Sequence, residues 1–155
     1  MKASEINAIA ILTKDHAEVK AMFKEYEGLS KRAVVGKKKL AAQICHSLTL
    51  HAMMEEEIFY PAVRKVMRDD DLMDESLVEH ACVKELIAQV ENMEPDDDLY
   101  DAKLKVMSEQ VEHHVREEED EMFPEVRKAD LDLISIGKEM SARKEEMAAM
   151  QMGTI

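Results

Sequence analysis

The sequence has few of the residues that interrupt helices or build β-sheets. Its 155 residues include only four Gly and three Pro, aromatic residues make up 4%, and Trp is absent. In their place stand many Ala, Leu, Met, Glu and Lys residues, which favour helix over strand. A hydrophobic fraction of 46% beside a charged fraction of 35% excludes the composition of a disordered chain. We therefore predict an all-α protein.

Cysteines and long apolar runs are also scarce. The two cysteines, Cys45 and Cys82, fall on different predicted helices without a CxxC spacing, so we expect two buried free thiols in a reducing compartment. The N-terminal residues do not resemble a signal peptide, and no apolar run is long enough to span a membrane. We therefore expect a cytoplasmic protein.

Positive charge is in short supply. Lys and Arg number 21 against 34 Asp and Glu, which gives a formal net charge of −13. Such a chain repels the phosphates of nucleic acids and of anionic lipids. We therefore expect neither a nucleic-acid partner nor a membrane partner.

Apolar side chains that recur every three or four residues divide the chain into four long helices and a shorter fifth. The expected breaks, in chain order, are a cap at Ser4 and Glu5, Gly28, a basic loop with Gly36 and Lys37–Lys39, Pro61 (a kink or an end), an acidic turn at Asp69–Asp71, Pro95 and Pro124. Short connections make consecutive helices antiparallel. We predict one domain, residues 1–155, with an up-down-up-down four-helix bundle over about 5–127 and a C-terminal helix over about 130–149. The methionine-rich end of that helix leaves a homo-oligomer contact open.

Polar residues stand on the apolar stripes of the four long helices. Each stripe carries one histidine, and two stripes add a glutamate in a repeated His-x3-Glu pattern; the residues are His16, His51, Glu55, His80, His114 and Glu118. Residues four apart share a helix face, so each pair can aim at one point. Buried carboxylates are costly unless they are paired or bind a metal. Imidazole with carboxylate suits iron, manganese or zinc, so the pattern predicts a metal site inside the bundle.

The remaining histidines and acids lie off these stripes. We expect His46 and His113 at the surface or behind the ligands, and we expect the acids to be solvated: Glu56, Glu57, Glu117 and Glu121. Glu119 is an alternative to Glu118 as the fourth-helix ligand, because it lies five residues after His114.

These motifs resemble those of the hemerythrin family, in particular its HHE cation-binding branch. The matching segments lie within about residues 6–127: Asp15-His16, His51-x3-Glu55-Glu56 with Phe59-Tyr60-Pro61, Glu79-His80, and His114-x3-Glu118-Glu119 with Met122-Phe123-Pro124. The resemblance implies a four-helix bundle with a non-haem di-iron centre. Glu55 and Glu118 then bridge two iron ions, a solvent-derived oxo or hydroxo group completes the bridge, and the four histidines are terminal ligands. Manganese or zinc also fits this ligand chemistry.

Two departures separate this sequence from the oxygen-carrying members of that family. Those proteins have a second histidine where this chain has Lys84, and an aspartate at the position of Glu119. A smaller ligand set leaves open metal positions, which are typical of reactive sites. The resemblance thus implies binding of dioxygen or peroxide for sensing, storage or delivery. Catalase-like or peroxidase-like removal of peroxide and an iron-handling regulatory module are the alternatives, so enzymatic activity stays open.

Overall fold

Helices form almost all of the described part of the protein. The computed structural model describes residues 7–67 and 70–152 of the chain. The helices in this part are α1 Ala8–Glu27, α2 Val34–Met54, α3 Tyr60–Val66, α4 Asp70–Glu91, α5 Tyr100–Glu117, α6 Phe123–Lys128 and α7 Leu133–Met152. A first π-helical turn, Glu55–Phe59, joins α2 to α3, and a second, Glu118–Met122, joins α5 to α6. These residues contain no strand, and the all-α prediction is confirmed.

The start of α1 is set by a side-chain cap. The side-chain oxygen of Asn7 accepts a hydrogen bond from the backbone N–H of Ala10 at 2.9 Å, which satisfies one of the donors that a helix start leaves free. The cap expected at Ser4 and Glu5 lies outside the described residues. At the other end, the prediction that the helix stops at Gly28 is confirmed.

The basic segment after α1 is helical rather than a loop. Because α2 already begins at Val34, the prediction of a loop at Gly36 and Lys37–Lys39 is wrong. The Lys37 side chain is buried, and its ammonium donates a hydrogen bond to Asp101 on α5 at 3.0 Å. This ion pair with another helix holds the basic segment in the bundle, and charge along the sequence alone does not reveal it.

Each π turn ends two residues before a proline. Pro61 and Pro124 stand in the first turns of α3 and α6. A proline ring clashes with the carbonyl four residues earlier and has no N–H to offer it. In the first π turn the N–H of Tyr60 instead bonds the carbonyl of Glu55, five residues back. The wider turn accommodates the proline, so Pro61 does not end the helical path, which continues to Val66.

The breaks on either side of α4 follow the sequence. Asp70 and Asp71 occupy its first turn, where their negative charge interacts favourably with the positive end of the helix dipole. Asp69, the first residue of the expected acidic turn, lies outside the described residues. Pro95 stands in the connection between α4 and α5, where a break was predicted.

Two helical hairpins, α1–α2 and α4–α5, pack together through contacts of α1 with α5 and of α2 with α4. This is the predicted up-down-up-down four-helix bundle. One apolar core, with Leu12, Phe59 and Phe123, fills the end near the π turns. Another core, with Phe23 and Ile44, fills the opposite end. The predicted metal residues lie in the layer between the two cores.

The C-terminal helix α7 packs on α1, α2 and the first π turn. Ile136 and Met140 are buried there and extend the core at that end. Gly137 lies against the start of α1, because a Cβ added to it would be 3.0 Å from backbone atoms of Asn7 and Ala8. A glycine is needed at this close approach of two backbones. The predicted fifth helix is confirmed, with bounds shifted a few residues toward the C-terminus.

Two further expectations concern the burial of the cysteines and the presence of a helix that could cross a membrane. Cys45 is buried as predicted, but Cys82 is exposed, so the prediction of a buried thiol is wrong for the second residue. Within residues 7–67 and 70–152, no helix combines the length and the apolar character that a membrane crossing requires.

Candidate metal centre

The structure brings the six predicted residues together in the middle of the bundle. Each of α1, α2, α4 and α5 contributes one histidine, and each π turn begins with one glutamate. All six are buried: His16, His51, Glu55, His80, His114 and Glu118. Their ligand atoms form two groups, each within 4.8 Å, and both groups contain Glu55 and Glu118. One group adds the histidines of α1 and α2, and the other adds those of α4 and α5.

Glu118 reaches a histidine of each group with a different oxygen. Its Oε1 lies 3.1 Å from His16 Nε2, and its Oε2 lies 2.9 Å from His114 Nε2. Glu55 also faces both groups, because its Oε1 lies 3.3 Å from His51 Nε2 and 3.1 Å from His80 Nε2. The two carboxylates therefore stand between two pairs of imidazoles.

Each of the four central histidines contacts a carboxylate on the side of its ring that faces away from the centre. These four acids are here called the outer carboxylates. The Nδ1 atoms meet them at hydrogen-bond distance, in the pairs His51–Asp15 at 3.1 Å, His80–Glu56 at 2.8 Å, His114–Glu79 at 2.8 Å and His16–Glu119 at 2.6 Å. A carboxylate accepts hydrogen bonds, so Nδ1 carries the proton and Nε2 points inward. Metal-binding histidines are commonly oriented in this way.

The outer carboxylates connect the helices in a closed ring. The acid on α1 holds the histidine of α2, the acid of the first π turn holds that of α4, the acid on α4 holds that of α5, and the acid of the second π turn holds that of α1. Each of the four bundle helices α1, α2, α4 and α5, together with the π turn that follows α2 and α5, thus supplies an inward-facing ligand candidate and orients one on the next helix around the ring.

Sequence reasoning gave these four acids no such role. The expectation that Glu56 is solvated is wrong, since it bonds His80 and also accepts a hydrogen bond from Lys84 at 2.7 Å. Glu119, which had been considered as a ligand, holds His16 instead, whereas Glu118 belongs to both central groups. A signal was present in the sequence, because each outer carboxylate is adjacent in the chain to one of the six central residues.

Burial and charge oppose one another in this cluster. Burial lowers the pKa of His51, but the Glu55 charge and a hydrogen bond to Asp15 outweigh it and raise that pKa to about 10. Burial likewise lowers the pKa of His114, and the nearby carboxylates of Glu118 and Glu55 raise it to about 12. Without metal, protons on these two imidazoles therefore compensate the charge of the carboxylates. A metal ion takes over that compensation when it displaces the protons.

Tyr60 closes the centre on the side of the π turns. Its hydroxyl donates a hydrogen bond to Glu118 Oε2 at 2.5 Å and lies 3.4 Å from Nε2 of both His80 and His114. Burial, together with the charges of Glu55 and Glu118, raises the pKa of Tyr60 far above its ordinary value, so the hydroxyl keeps its proton.

Tyr26 and Lys84 lie further from the central ligand atoms than Tyr60 does. Tyr26 donates its hydrogen bond to Asp101 at 2.7 Å, in the core at the opposite end of the bundle. The Lys84 side chain is 52% exposed, but its ammonium donates a hydrogen bond to Glu56 and so contacts the ring of outer carboxylates.

The donor set fits metal ions. Several buried inward-facing atoms have no hydrogen-bond partner: His16 Nε2, His51 Nε2, both oxygens of Glu55 and Glu118 Oε1. They are near one another, but not in hydrogen-bonding geometry. An unsatisfied buried polar atom costs about 1–3 kcal/mol, so a cluster of them calls for a ligand. Imidazole and carboxylate together suit first-row transition metals.

A four-helix bundle with a buried His/Glu cluster belongs to the class of helical proteins that hold metal between their helices. The family model of the hemerythrin HHE cation binding domain matches residues 7–126. The chain belongs to this family.

Two known proteins are similar to the chain. A protein named DNA nickase from Nostoc sp. (strain PCC 7120) is 28% identical over 123 residues, which are 79% of this chain and 34% of that protein. The chain thus spans about a third of the length of this curated relative. The crystal structure of a hemerythrin HHE cation binding domain-containing protein from Mycobacterium kansasii superposes with a TM-score of 0.78 at 21% identity, covering 91% of this chain and 86% of that one. It shows the same fold.

Proposed function

We propose that the protein is a non-haem di-iron protein that binds dioxygen or peroxide inside the bundle. The observation that carries this proposal is the convergence of four imidazole Nε2 atoms on two carboxylates that both ligand groups share. Two adjacent ligand groups that share two carboxylates would hold two neighbouring metal ions, one in each group. Membership in a cation-binding family supports the same conclusion.

The chain's own residues have distinct tasks in this proposal. His16 and His51 would hold one ion, His80 and His114 the other, and the shared glutamates would bridge them. The outer carboxylates keep each imidazole in the orientation that presents Nε2 inward. Two iron ions, when bound, supply a redox-active centre with coordination positions that the protein does not fill.

A small cavity beside the histidines supports a ligand of few atoms. It measures about 50 Å³, and its lining combines the four central histidines with aliphatic side chains, among them Val19, Leu48, Val83, Ile87 and Val111. Pockets for metabolites or drug-sized ligands are several times larger, on the order of 300–1,000 Å³. Dioxygen and peroxide fit this space, whereas its volume is too small for a ligand of metabolite size.

We do not propose the nickase activity in the name of the Nostoc protein for this chain. The match covers about a third of that protein, and the net charge of −13 disfavours contact with a phosphate backbone. We infer that the shared segment is the metal-binding bundle and that this chain has no nucleic-acid partner.

Metal analysis combined with optical spectroscopy tests the proposal. The purified chain should contain about two iron ions, as expected for a di-iron bundle, and its spectrum should change reversibly when the reduced form meets dioxygen. Glu55→Gln should lose iron, whereas Glu57→Gln removes the same charge from an exposed position of the same π turn and should keep it.

The outcomes separate the alternatives. Evolution of oxygen from added peroxide would assign peroxide removal as the activity. Two bound irons without an optical response or turnover would favour iron handling. A chain that takes up no metal even after reconstitution with ferrous iron would overturn the proposal.

A further inference from the structure

A second cluster of metal-ligating side chains lies on the surface between α4 and α5. It consists of Glu79 on α4 with His113 and Glu117 on α5, and it is here called the surface cluster. His113 Nε2 lies 2.9 Å from Glu117 Oε1 and 3.4 Å from Glu79 Oε2. One ligand atom from each residue lies within 4.8 Å of the others, as in the two central groups. None of the three belongs to the six central residues.

The carboxylates of the surface cluster have histidines as their ion-pair partners, His113 for both and also His114 for Glu79. The surface cluster holds two carboxylates and one imidazole, and within residues 7–67 and 70–152 neither carboxylate pairs with a lysine or an arginine. Glu117 Oε2 is buried and has no hydrogen-bond partner. An unsatisfied oxygen beside a second carboxylate is favourable for a cation and unfavourable without one.

The spacing of the three ligand atoms suits a first-row divalent ion. Metal–nitrogen and metal–carboxylate bonds of about 2.0–2.2 Å place neighbouring ligand atoms roughly 3 Å apart, close to the separations around His113 Nε2. The His113 side chain is 63% exposed. A surface groove of about 440 Å³ runs beside it, lined also by Glu79 and Gln110. Water can therefore complete the coordination, and the ion can exchange with solvent.

Glu79 connects the surface cluster to the buried centre. Its Oε1 accepts the hydrogen bond from His114 Nδ1 at 2.8 Å, while its Oε2 faces His113. We propose that the surface cluster is a labile, solvent-facing site for a divalent cation of the Mn²⁺, Fe²⁺ and Zn²⁺ class, which shares Glu79 with the buried centre. An ion on Oε2 withdraws charge from the carboxylate that orients His114. The coupling to the centre rests on the proposed function, whereas the site itself does not.

A titration of the iron-loaded chain with Mn²⁺ tests the site. Free Mn²⁺ is counted by its electron paramagnetic resonance signal, which is broadened on binding. Mn²⁺ binds more weakly than Fe²⁺ to a given set of ligands, so it does not displace the iron. The wild-type chain should bind one Mn²⁺ at the surface cluster. In His113→Gln and in Glu117→Gln, the dissociation constant for this ion should rise at least ~10-fold.

Matched variants control for charge and for histidine content. Glu112→Gln removes the same charge from an exposed position of α5, and His46→Gln removes an exposed histidine of α2. Both should bind Mn²⁺ as the wild type does. Equal Mn²⁺ binding by the wild type and by His113→Gln would overturn the proposed site.

The coupling has its own readout. Saturation with Mn²⁺ should shift the absorption of the iron centre in the wild type but not in His113→Gln. An absent shift with Mn²⁺ bound would overturn the coupling and leave the site. A chain that takes up no iron would contradict the proposed function, but the difference in Mn²⁺ binding between the wild type and His113→Gln would still decide whether the surface cluster binds a cation.

Discussion

Glu118 and Glu119 are neighbours in the chain, but their carboxylates have different partners, and replacing each by glutamine separates the two roles. Glu118 is buried and faces His16 and His114 with different oxygens. Glu119 accepts a hydrogen bond from His16 Nδ1, on the side of the ring that faces away from the centre. We expect Glu118→Gln to lose at least one of the two ions and Glu119→Gln to retain both with weaker binding.

The size of the Glu119 effect follows from its exposure. Removing a partner behind a metal ligand costs about 10–100-fold in metal affinity, or about 1.4–2.7 kcal/mol. The Glu119 side chain is 37% exposed, so water screens its charge, and the amide oxygen of the replacing glutamine can still accept from Nδ1. We therefore expect a loss near the lower limit, ~10-fold or about 1.4 kcal/mol.

Metal content after gel filtration and competition with a chelator measure these two effects. Glu121→Gln is the control, because it removes the same charge from an exposed position of the second π turn. If Glu119→Gln lost an ion while Glu118→Gln held both with wild-type affinity, the assignment would be reversed and the reasoning from the shared carboxylate refuted.

Three further substitutions test the fold and the centre. Gly137→Ala should lower the free energy of unfolding by about 1–3 kcal/mol in urea titrations, because the new Cβ would lie 3.0 Å from backbone atoms. Gly36→Ala, with no atom nearer than 3.8 Å, should raise it by up to about 1 kcal/mol. Equal effects of the two substitutions would contradict the close approach at Gly137. Asp101→Asn should cost about 1 kcal/mol at neutral pH by weakening the pair with buried Lys37. Burial acts to raise the Asp101 pKa, but the hydrogen bonds that it accepts lower it below 3.8, so this contribution is present above that pH and lost as the pH falls through the lowered pKa. A difference from the wild type that stays constant down to the acid transition would argue against the pair. Tyr60→Phe should keep the fold and reduce metal affinity by ~10-fold in chelator competition, and unchanged affinity would exclude a role for the hydroxyl.

The inward faces of the bundle could be predicted from the sequence because they are set by one helix at a time. The 3.6-residue period places His51 and Glu55 on the stripe that also carries Leu48, and the same spacing recurs at His114 and Glu118. The structure brings these residues together as that period predicts. The helix ends at Gly28 and Pro95 follow from the local preferences of glycine and proline in the same way.

The contacts that were missed all depend on a second helix. Glu56 directly follows Glu55, so its side chain points away from the stripe that Glu55 shares with His51. Its role becomes visible only once His80 of α4 lies beside it. Lys37 looked like a loop residue for the same reason, because its partner Asp101 is on α5. The π turn before Pro61 is a different case, since a local period assumes a regular α-helix and does not show where the helix widens.

The ring of outer carboxylates has a consequence for the whole bundle. Each outer carboxylate is adjacent in the chain to a central residue, so a rotation of one long helix moves an inward-facing candidate ligand and also the acid that orients the histidine of the next helix. A shift of α4, for example, displaces His80 and, through Glu79, turns His114 on α5. The two ligand groups therefore cannot change independently. Metal affinity at either ligand group should depend on the packing of all four helices. A substitution far from the centre that rotates a helix should therefore lower the metal affinity of both groups together.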